Sequence, residues 1–354
     1  MGLLEETLEQ IVPKDSKWET RAVDRLERLT MPHWALGRVM DLARSLAGMT
    51  RSLDPRVDRK VMIVMAGDHG VTAEGVSLYP AEVTAQMVRN FAAGGAGINA
   101  LAKVCGARLV VVNMGVNGDL TDLVQEGHIL DRSIRSGTGN IAQGPAMSRD
   151  EAVRCVEAGL EITLGFGDRV DVLGTGDMGI GNTTPSTAIA AVLTGVSVEK
   201  LVGRGTGIGD EQLAHKVGVI QQALEVNRPD SRDGLDVLAR VGGFEIGGIA
   251  GVILGAARLK KPVVIDGFIS TAGALIASRL APQSVDYMVA GHQSVEPGHR
   301  VMLAELGKRP LLDLDLRLGE GTGAALAMPI LDAAAGVLTQ VSTFEEAAVS
   351  GAIP

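Results

Sequence analysis

Residues 170–186 read VDVLGTGDMGIGNTTPS, and this stretch decides the fold. It begins with a short β-branched and aliphatic run at 170–173, continues into a glycine-rich turn, and leads into an apolar helix over 187–193. A strand, a glycine turn and a helix start in this order are typical of anion binding, because free backbone N–H groups and the helix dipole both point at the ligand. The stretch therefore predicts a strand–turn–helix unit with a phosphate bound at its turn.

The turn lacks the spacing of the two common nucleotide-binding motifs. A Walker A loop needs GxxxxGK[ST] and a dinucleotide-binding turn needs GxGxxG, whereas residues 174–176 are followed by glycines in a different register. A single phosphate therefore suits the turn better than a pyrophosphate. The hydroxyl groups of Thr183, Thr184 and Ser186 can either cap the helix or contact the phosphate oxygens.

Similar strand-like runs recur along the chain, each followed by a glycine-rich turn and a segment long enough for a helix. They are unbroken rather than alternating, as expected of strands that are covered by helices on both faces. The sequence therefore predicts an α/β fold with a mostly parallel sheet, whose ligands bind beyond the carboxyl ends of the strands. The other runs lie at 61–65, 109–112, 262–265 and 287–290.

The two chain ends have a different character from the middle. Residues 1–60 contain no strand-like run, and their apolar residues recur at helical spacing. After Leu326 the chain is rich in alanine, and we expect it to be helical through Ala347 with no further strand. We predict a small helical domain formed by residues 1–30 with 330–354, and a large α/β domain formed by residues 31–329.

The bulk composition excludes several classes of protein. Of the 354 residues 46% are hydrophobic and 21% are charged, as in a soluble globular protein. The formal net charge of -9 and the absence of a basic cluster argue against a nucleic-acid partner. No secretory signal is recognisable and no apolar run approaches the roughly 20 residues that cross a bilayer, so we expect a cytoplasmic protein without a membrane partner.

Metal and disulfide chemistry also have little support in the sequence. Cys105 and Cys155 stand alone, without CxxC or Cys/His ligand spacing, and are expected to be buried thiols. The two histidines of residues 291–299 lack the helical spacing of a metal-ligand pair. We therefore predict no metal site.

Several polar residues follow the predicted strands or precede helices, where a ligand site is expected. Asp68 and His69 follow the first strand, and Glu320 stands between glycines in LRLGEGTGAAL, residues 316–326. Each has a purely structural alternative. In that alternative Asp68 only caps a turn, and Glu320 only interacts favourably with the dipole at the start of a helix. Lys216, on a helix after the glycine turn 202–208, is by spacing alone more typical of a solvated surface charge.

Taken together, these segments closely resemble the family of nicotinate-nucleotide:5,6-dimethylbenzimidazole phosphoribosyltransferases. Any one segment is weak, but seven in the same order are specific. The resemblance implies a Rossmann-like parallel sheet, a small helical domain from both chain ends, and a homodimer. The matching segments are 67–71 (GDHGV), 79–88, 94–99, 178–184 (MGIGNTT), 203–207 (GRGTG), 294–298 (SVEPG) and 319–323 (GEGTG).

The resemblance also implies the reaction and the residues that perform it. Nicotinate leaves C1 of the ribose of nicotinate mononucleotide, and a nitrogen of the benzimidazole attacks from the opposite face. Glu320 is implied as the general base. The implied nucleotide- and phosphate-binding residues are Gly176, Asp177, Gly179, Ile180, Gly181, Asn182, Thr183, Thr184, Gly205, Lys216 and Ser294. The implied benzimidazole slot consists of Tyr79, Gln86, Met178 and Leu318.

The resemblance carries two departures and leaves rivals open. One is the segment 31–37 (MPHWALG), which replaces a more usual Pro-x-Gly-Ser-Leu-Gly near the first helices. The other is Asp177, which stands where many relatives have glutamate, so its contact with the nucleotide is expected to differ. No metal or other cofactor is expected, because the pyridinium of the donor is already a good leaving group. The rivals are a nucleotide-binding regulatory module without turnover, and a nicotinamide-dependent dehydrogenase, which the absent GxGxxG disfavours.

Overall fold

In a computed structural model, which describes residues 2–205 and 207–350, the chain forms an α/β fold around a six-stranded parallel sheet. This confirms the predicted fold class. The strands of the sheet are β1 (Lys60–Gly67), β2 (Ala107–Gly115), β3 (Leu130–Asp131), β4 (Val172–Met178), β5 (Val263–Ile265) and β6 (Met288–Ala290). Two further strands, β7 (His292–Ser294) and β8 (Leu312–Leu316), form a separate parallel pair.

Helices cover the sheet and both chain ends. The first group is α1 (Leu3–Gln10), α2 (Ser16–Leu26), α3 (Arg38–Thr50), α4 (Val83–Ala93), α5 (Gly97–Cys105), α6 (Thr121–Gln125) and α7 (Arg149–Phe166). The second group is α8 (Thr183–Thr194), α9 (Val198–Leu201), α10 (Asp210–Asn227), α11 (Gly234–Val241), α12 (Phe244–Leu259), α13 (Phe268–Leu280), α14 (Pro297–Glu305) and α15 (Thr322–Gln340). Short 3-10 helices occupy Gly70–Glu74, Gly167–Arg169 and Pro282–Tyr287.

The strand order of the large sheet is β3-β2-β1-β4-β5-β6. From β1 the chain moves to one edge through β2 and β3, and from β4 it moves to the other edge, so the direction reverses between β1 and β4. These two strands run side by side in register, with Met65 opposite Asp177 and Ala66 opposite Met178. In an open α/β sheet such a reversal leaves a crevice at the carboxyl ends of the two strands, which is where ligands bind.

The fourth strand departs from the sequence prediction of 170–173. It begins at Val172. The carboxylate of the preceding residue, Asp171, accepts hydrogen bonds from the backbone N–H and the side chain of Arg59. The strand continues through Met178, so the first glycines of the predicted turn lie inside a strand. There they permit close packing, because a Cβ at Gly174 would collide with the side chain of Met62.

Other predicted bounds also move. Helix α8 begins at Thr183 rather than 187, and α15 ends at Gln340 rather than at Ala347. Strands β3, β7 and β8 were not predicted, because they have two, three and five residues, and β8 alternates leucine with aspartate at the surface. Both cysteines are buried free thiols, as predicted.

The two chain ends meet through α2, α3 and α15. Arg25 of α2 donates hydrogen bonds to the carbonyl oxygens of Leu338 and Val341, and Leu29 forms an isolated antiparallel bridge with Thr343. Helix α1 instead packs on α7 and α12 of the large layer. The division into residues 1–30 with 330–354 and residues 31–329 stays a prediction, and residues 351–354 lie outside the described part.

Helix α15 is the one helix of residues 2–205 and 207–350 that is long and apolar enough to span a membrane by length and composition. It has 19 residues, close to the roughly 20 that cross a bilayer. No apolar run of this length was expected from the sequence. More than half of it is buried inside the fold, where it packs on α3, α5 and β4. A core helix of a soluble protein has the same properties, so this helix is weak evidence for a membrane span.

Helices α7 and α12 pack closely because glycines remove the side chains between them. A Cβ at Gly159 of α7 would collide with the carbonyl oxygen of Gly248, and one at Gly251 of α12 would collide with that of Val156. In both cases the obstacle is backbone, which a rotamer change cannot move.

We predict that Gly159→Ala lowers the free energy of unfolding by about 3 kcal/mol, the upper end of the usual range for overpacking, because the two helix backbones must separate. Gly165→Ala in the same helix is the matched control, since nothing lies within 4 Å of a Cβ there. Urea denaturation of the three proteins measures both effects. Equal stability of the two variants would contradict this account of the packing.

Candidate active site

The crevice between β1 and β4 is closed on one side by the turn that precedes α15. A Cβ at Gly176 of β4 would collide with the carbonyl oxygen of Glu320, and one at Gly319 would lie 3.3 Å from Oδ2 of Asp177. The segment 319–321 therefore lies directly against the end of β4. The fold brings together Glu320 and the turn that begins at residue 177, which are far apart in the sequence.

Glu320 is held in a left-handed backbone conformation. Residues 319–321 have φ values of 82°, 61° and 92°, of which only the middle one belongs to a residue with a side chain. Its Oε2 accepts a hydrogen bond of 3.1 Å from the backbone N–H of Ile98, at the start of α5. Gly97 makes room for this contact, since a Cβ there would lie 3.3 Å from the same oxygen.

Glu320 is only 6% exposed, and burial followed by the charge of Asp266 raises the pKa of its carboxyl group. The hydrogen bonds from the start of α5 act in the opposite direction and do not cancel this effect. A carboxylate with a raised pKa is a better proton acceptor near neutral pH than a free one.

Asp177 is a second buried carboxyl group beside Glu320. Burial, and then the charges of Asp266 and Glu245, raise its pKa well above the usual value. Its Oδ2 accepts a hydrogen bond of 3.0 Å from the amide of Asn182, while its Oδ1 is buried with no hydrogen-bond partner in the described residues. A buried acceptor without a partner is costly, and a ligand that donates to it or carries positive charge would remove the cost.

Lys216 is buried rather than solvated, which rules out the surface-charge alternative. It is 1% exposed, and its Nζ donates a hydrogen bond of 2.7 Å to Oγ1 of Thr183, at the start of α8. Burial lowers the pKa of Lys216 to about 8, against the charge of Glu296, which raises it. Glu296 in turn accepts a hydrogen bond of 3.0 Å from the backbone N–H of Gly205.

These groups form a compact cluster at the start of α8, the helix that follows β4. A Cβ at Gly205 would lie 3.0 Å from Oγ1 of Thr183 and 3.5 Å from Nζ of Lys216, so the glycine turn closes over the lysine. A buried ammonium, a hydroxyl and a helix start are groups that bind a phosphate. Thr206, in the same turn, lies outside the described residues.

The glycine turn before α8 differs in detail from the expectation. The backbone N–H of Ile180 donates to Oγ1 of Thr84 at 3.0 Å, so this group is already engaged. The hydroxyl of Ser186 donates a hydrogen bond to the carbonyl oxygen of Asn182, so it neither caps the helix nor is free to bind a ligand.

The glycines of this turn are required by close packing and by backbone conformation. Gly179 packs against Gly67 and His69, where a Cβ would collide with the Gly67 carbonyl oxygen. Gly181 has φ 86°, which favours glycine, and Oγ1 of Thr184 is buried without a hydrogen-bond partner in the described chain.

Ser294 is positioned by a buried histidine. Its backbone N–H donates to Nδ1 of His299 at 2.8 Å, and Nε2 of His299 lies 2.9 Å from Oγ1 of Thr271. Burial and the charge of His292 lower the pKa of His299 to about 3, so the ring is neutral. Because Nδ1 accepts, Nε2 carries the proton, which fixes the tautomer. This role of His299 could not be read from sequence spacing.

Asp68 and His69 directly follow the carboxyl end of β1. Nε2 of His69 is 2.7 Å from Oε1 of Glu245, and both residues are almost fully buried. Burial lowers the pKa of His69, but the charge and hydrogen bond of Glu245 outweigh it and the pKa is raised. Asp68 accepts a hydrogen bond of 2.7 Å from the backbone N–H of Asn117, which agrees with the turn-capping alternative. Sequence reasoning missed Glu245, a single acid at the start of an apolar helix.

The four residues of the predicted benzimidazole slot are at least partly accessible to solvent. Tyr79 and Leu318 are 55% and 60% exposed, Gln86 is exposed, and Met178 is partly buried. Leu318 is the one placed beside Glu320, since a Cβ at Gly97 would lie 3.0 Å from its Cδ2. Within residues 2–205 and 207–350 no group of three or more His, Cys, Asp or Glu residues could hold a metal ion.

Known proteins with this arrangement place the chain in a family. Residues 11–349 match the family described as Phosphoribosyltransferase. The nicotinate-nucleotide–dimethylbenzimidazole phosphoribosyltransferases of Syntrophotalea carbinolica and Desulfotalea psychrophila are 61% and 57% identical to it, over 99% of each chain. This chain belongs to that phosphoribosyltransferase family. The resemblance of the seven sequence segments is thereby confirmed.

Solved structures agree with this assignment. The nicotinate-nucleotide–dimethylbenzimidazole phosphoribosyltransferase of Thermus thermophilus superimposes with a TM-score of 0.90 at 46% identity, covering 96% of this chain and 100% of that one. A structure described as CobT from the same organism gives a TM-score of 0.91 at 47% identity, covering 95% and 100% of the two chains. The family therefore shares this fold over nearly the whole chain.

The lowered pKa of Lys216 predicts a pH-dependent cost to stability. In the unfolded chain this lysine keeps its proton up to about pH 10.5, but the folded protein releases it near pH 8. Below pH 8 the buried charge therefore lowers the free energy of unfolding by a constant amount. This loss of stability disappears as the pH rises from 8 to 10.5. We expect Lys216→Met to be more stable than the parent protein at pH 7, by about 3 kcal/mol at most, and the difference to narrow at about pH 9.5.

Urea denaturation at the two pH values measures this difference. Lys17→Met, at a solvent-exposed lysine, is the control and should change stability little at either pH. A Lys216→Met protein that is less stable than the parent at pH 7 would show that the buried ammonium is favourable in the ligand-free fold.

Proposed function

We propose that this protein transfers the 5-phosphoribosyl group of nicotinate mononucleotide to a nitrogen of 5,6-dimethylbenzimidazole. The reaction inverts C1 of the ribose and yields α-ribazole 5′-phosphate and nicotinate, a step in assembling the lower ligand of cobalamin. The observation that carries the proposal is the position of Glu320, a buried carboxyl group held against the end of β4, the strand whose following turn leads to Thr183 and its hydrogen bond with the buried Lys216.

In the proposed mechanism, the monophosphate of the donor binds Lys216, Thr183 and the Gly205 turn, together with the start of α8 and Ser294. This assignment is supported by the buried ammonium 2.7 Å from the threonine hydroxyl and by the glycine that closes over both. The phosphate fixes one end of the nucleotide. The ribose then extends toward the end of β4, with C1 near Asp177 and the remaining residues of the 176–184 segment.

The base binds on the opposite side of the ribose. Its ring lies in the slot formed by Tyr79, Gln86, Met178 and Leu318, with one ring nitrogen toward C1 and the N–H of the other toward Glu320. The new N–C1 bond forms as the bond from C1 to the pyridinium nitrogen breaks, and the electron pair of that bond returns to nicotinate. Glu320 takes the N–H proton of the base. Without this proton transfer the product would be a benzimidazolium cation.

Charge supports the same assignment. Positive charge lies on the pyridinium of the donor and shifts to C1 and then to the attacking base as the reaction proceeds. Asp177 and Glu320 are neighbouring buried carboxyl groups, and in the proposed arrangement this charge would develop beside them and favour their ionised forms. Electrostatic stabilisation of this kind often contributes more to catalysis than any other effect. The proposal needs neither a metal ion nor another cofactor.

A nucleotide-binding regulatory module is the remaining alternative from another class. It would bind nicotinate mononucleotide and be stabilised by it, but it would release no nicotinate. The assay incubates the purified protein with both substrates in the presence of a chelator and separates the products by chromatography. Nicotinate and an α-riboside in equal amounts are expected, and unchanged substrates would reject the enzyme.

We predict that Glu320→Gln lowers kcat by about 10²- to 10⁴-fold, the usual contribution of a general base, because an amide cannot accept the proton. Binding of nicotinate mononucleotide, measured by calorimetry, should change little. Glu9→Gln, at a surface glutamate, is the control and should keep full activity. Undiminished turnover of Glu320→Gln would remove this residue from the mechanism.

The pH dependence follows from the same group. Because burial and Asp266 raise the pKa of Glu320, kcat should fall as the pH drops through a value above 4.5, the ordinary pKa of this side chain. In Glu320→Gln this acid limb should vanish from the residual rate. An acid limb that persists unchanged in the variant would assign it to another group.

We further infer that the protein acts as a homodimer in the cytoplasm, without a nucleic-acid or membrane partner. Large apolar side chains are exposed on the segments that carry Tyr79, Val295, Leu314 and Leu318, three of which lie between residues 295 and 318. Such side chains are typical of a surface that a second subunit covers. Light scattering after size exclusion tests this inference, and a monomer at micromolar concentration would contradict it.

A further inference from the structure

Asp266 lies at the carboxyl end of β5 and is 1% exposed. Its carboxylate accepts hydrogen bonds from three backbone N–H groups at the start of α15: Gly321 at 3.1 Å, Gly323 at 2.7 Å and Ala324 at 3.0 Å. Three backbone donors on one buried carboxylate form a rigid connection, because each bond restrains the others and no water competes for them. This side chain thus anchors the residue that directly follows Glu320.

The anchored turn would not be stable by itself. Glu320 has φ 61°, a conformation that is sterically unfavourable for a residue with a Cβ, and it stands between two left-handed glycines. Such a conformation persists only where the surrounding structure enforces it. Thr322 contributes from within the turn, since its N–H and its hydroxyl both donate to the Gly319 carbonyl oxygen. Asp266 is the part of this restraint that comes from the central sheet.

His292 completes the arrangement from β7. Its Nε2 lies 3.6 Å from Oδ1 of Asp266, and its ring occupies the space that a Cβ at Gly323 would need. Gly267 also leaves room for this ring, since a Cβ there would lie 3.2 Å from Nε2. The start of α15 is therefore enclosed by the ends of β5 and β7, and the carboxylate of Asp266 lies at the centre of the contact.

We propose that Asp266 is a positioning residue for the reaction, whose buried carboxylate holds the turn 319–321 so that the Glu320 side chain reaches the acceptor base. This inference depends on the proposed function of Glu320. Asp266 reaches Glu320 only through the backbone of this turn and through its charge. A displacement of a catalytic group by about one ångström costs about 10²-fold in rate, so a restraint of this kind is required even without contact to the substrate.

The charge of Asp266 supplies a readout that a purely structural role would not change. The titratable groups that act on Glu320 or are acted on by it are Asp266 from β5 and Asp177 from β4, and His292 from β7 faces Asp266. From α5 only the backbone N–H groups of residues 97 and 98 contribute. After burial, the negative charge of Asp266 raises the pKa of Glu320. Removal of that charge should therefore lower this pKa and move the acid limb of kcat to lower pH.

The principal test is Asp266→Asn in the full chain. The amide retains one acceptor but turns an NH₂ group toward the Gly321 N–H. We expect kcat to fall about 10²-fold, with the KM for nicotinate mononucleotide within about threefold of the parent value and the acid limb at lower pH. Asp233→Asn is the matched control, because Asp233 caps α11 through the N–H groups of Leu235 and Asp236, away from the crevice. It should leave kcat and the acid limb unchanged.

A double-mutant cycle tests whether Asp266 acts through Glu320. If it does, adding Asp266→Asn to Glu320→Gln causes no further loss, because the displaced group no longer transfers a proton. If the two losses multiply, Asp266 acts independently of Glu320 and the proposal is overturned. A parent-like kcat and acid limb in Asp266→Asn would overturn it directly.

Asp266→Glu keeps the charge but lengthens the side chain, and it decides the matter if the asparagine variant does not fold. It should lower kcat while leaving the acid limb in place, and parent-like kcat would reject the positioning role. Calorimetry with nicotinate mononucleotide reports whether each variant retains its site. An inactive parent protein would instead reject the proposed function, so the two failures are distinguishable.

Discussion

The site depends on one close approach, between the turn 319–321 and the last residues of β4. The backbone of Glu320 lies where a side chain at Gly176 would have to be, and Gly319 lies against the carboxyl group of Asp177. Bulk at either glycine would push α15 away from the sheet. Because α15 also packs on β4 and β5, the position of the Glu320 carboxyl group, the proposed general base, is set by the same contacts that build the core.

The crevice concentrates buried carboxyl groups, whose ionisation is unfavourable in the ligand-free protein. Burial raises the pKa values of Asp177, Asp266 and Glu320, and it lowers that of Lys216 beside the start of α8. These shifts reflect the free-energy cost of burying the charged forms of these groups in the ligand-free protein. A substrate with an anionic phosphate at one end and a cationic ring near the other would relieve both halves of this cost. The electrostatics and the proposed nucleotide therefore fit each other at each end.

Much of the fold was predictable because its signals are local. Unbroken apolar runs indicated five of the strands, and the glycine motifs marked the turns beyond their carboxyl ends. The prediction was wrong where a local signal had two physical causes. Glycines at 174 and 176 indicated a loop, but they lie in β4 and permit the close approach of Met62 and Glu320. Sequence alone cannot distinguish a glycine that bends the chain from one that makes space.

The sequence by itself determined the α/β class, and it predicted a phosphate site at the turn before α8 and Glu320 as the candidate base, because each of these depends on residues that are neighbours in the chain. Only the tertiary structure showed that Lys216 is buried, that His299 is neutral, and that Asp266 anchors the turn of Glu320. These properties arise from contacts between segments that are remote in the chain and from the exclusion of water. Burial and distance between such segments, rather than residue type, decide which ionisable side chains can act in chemistry.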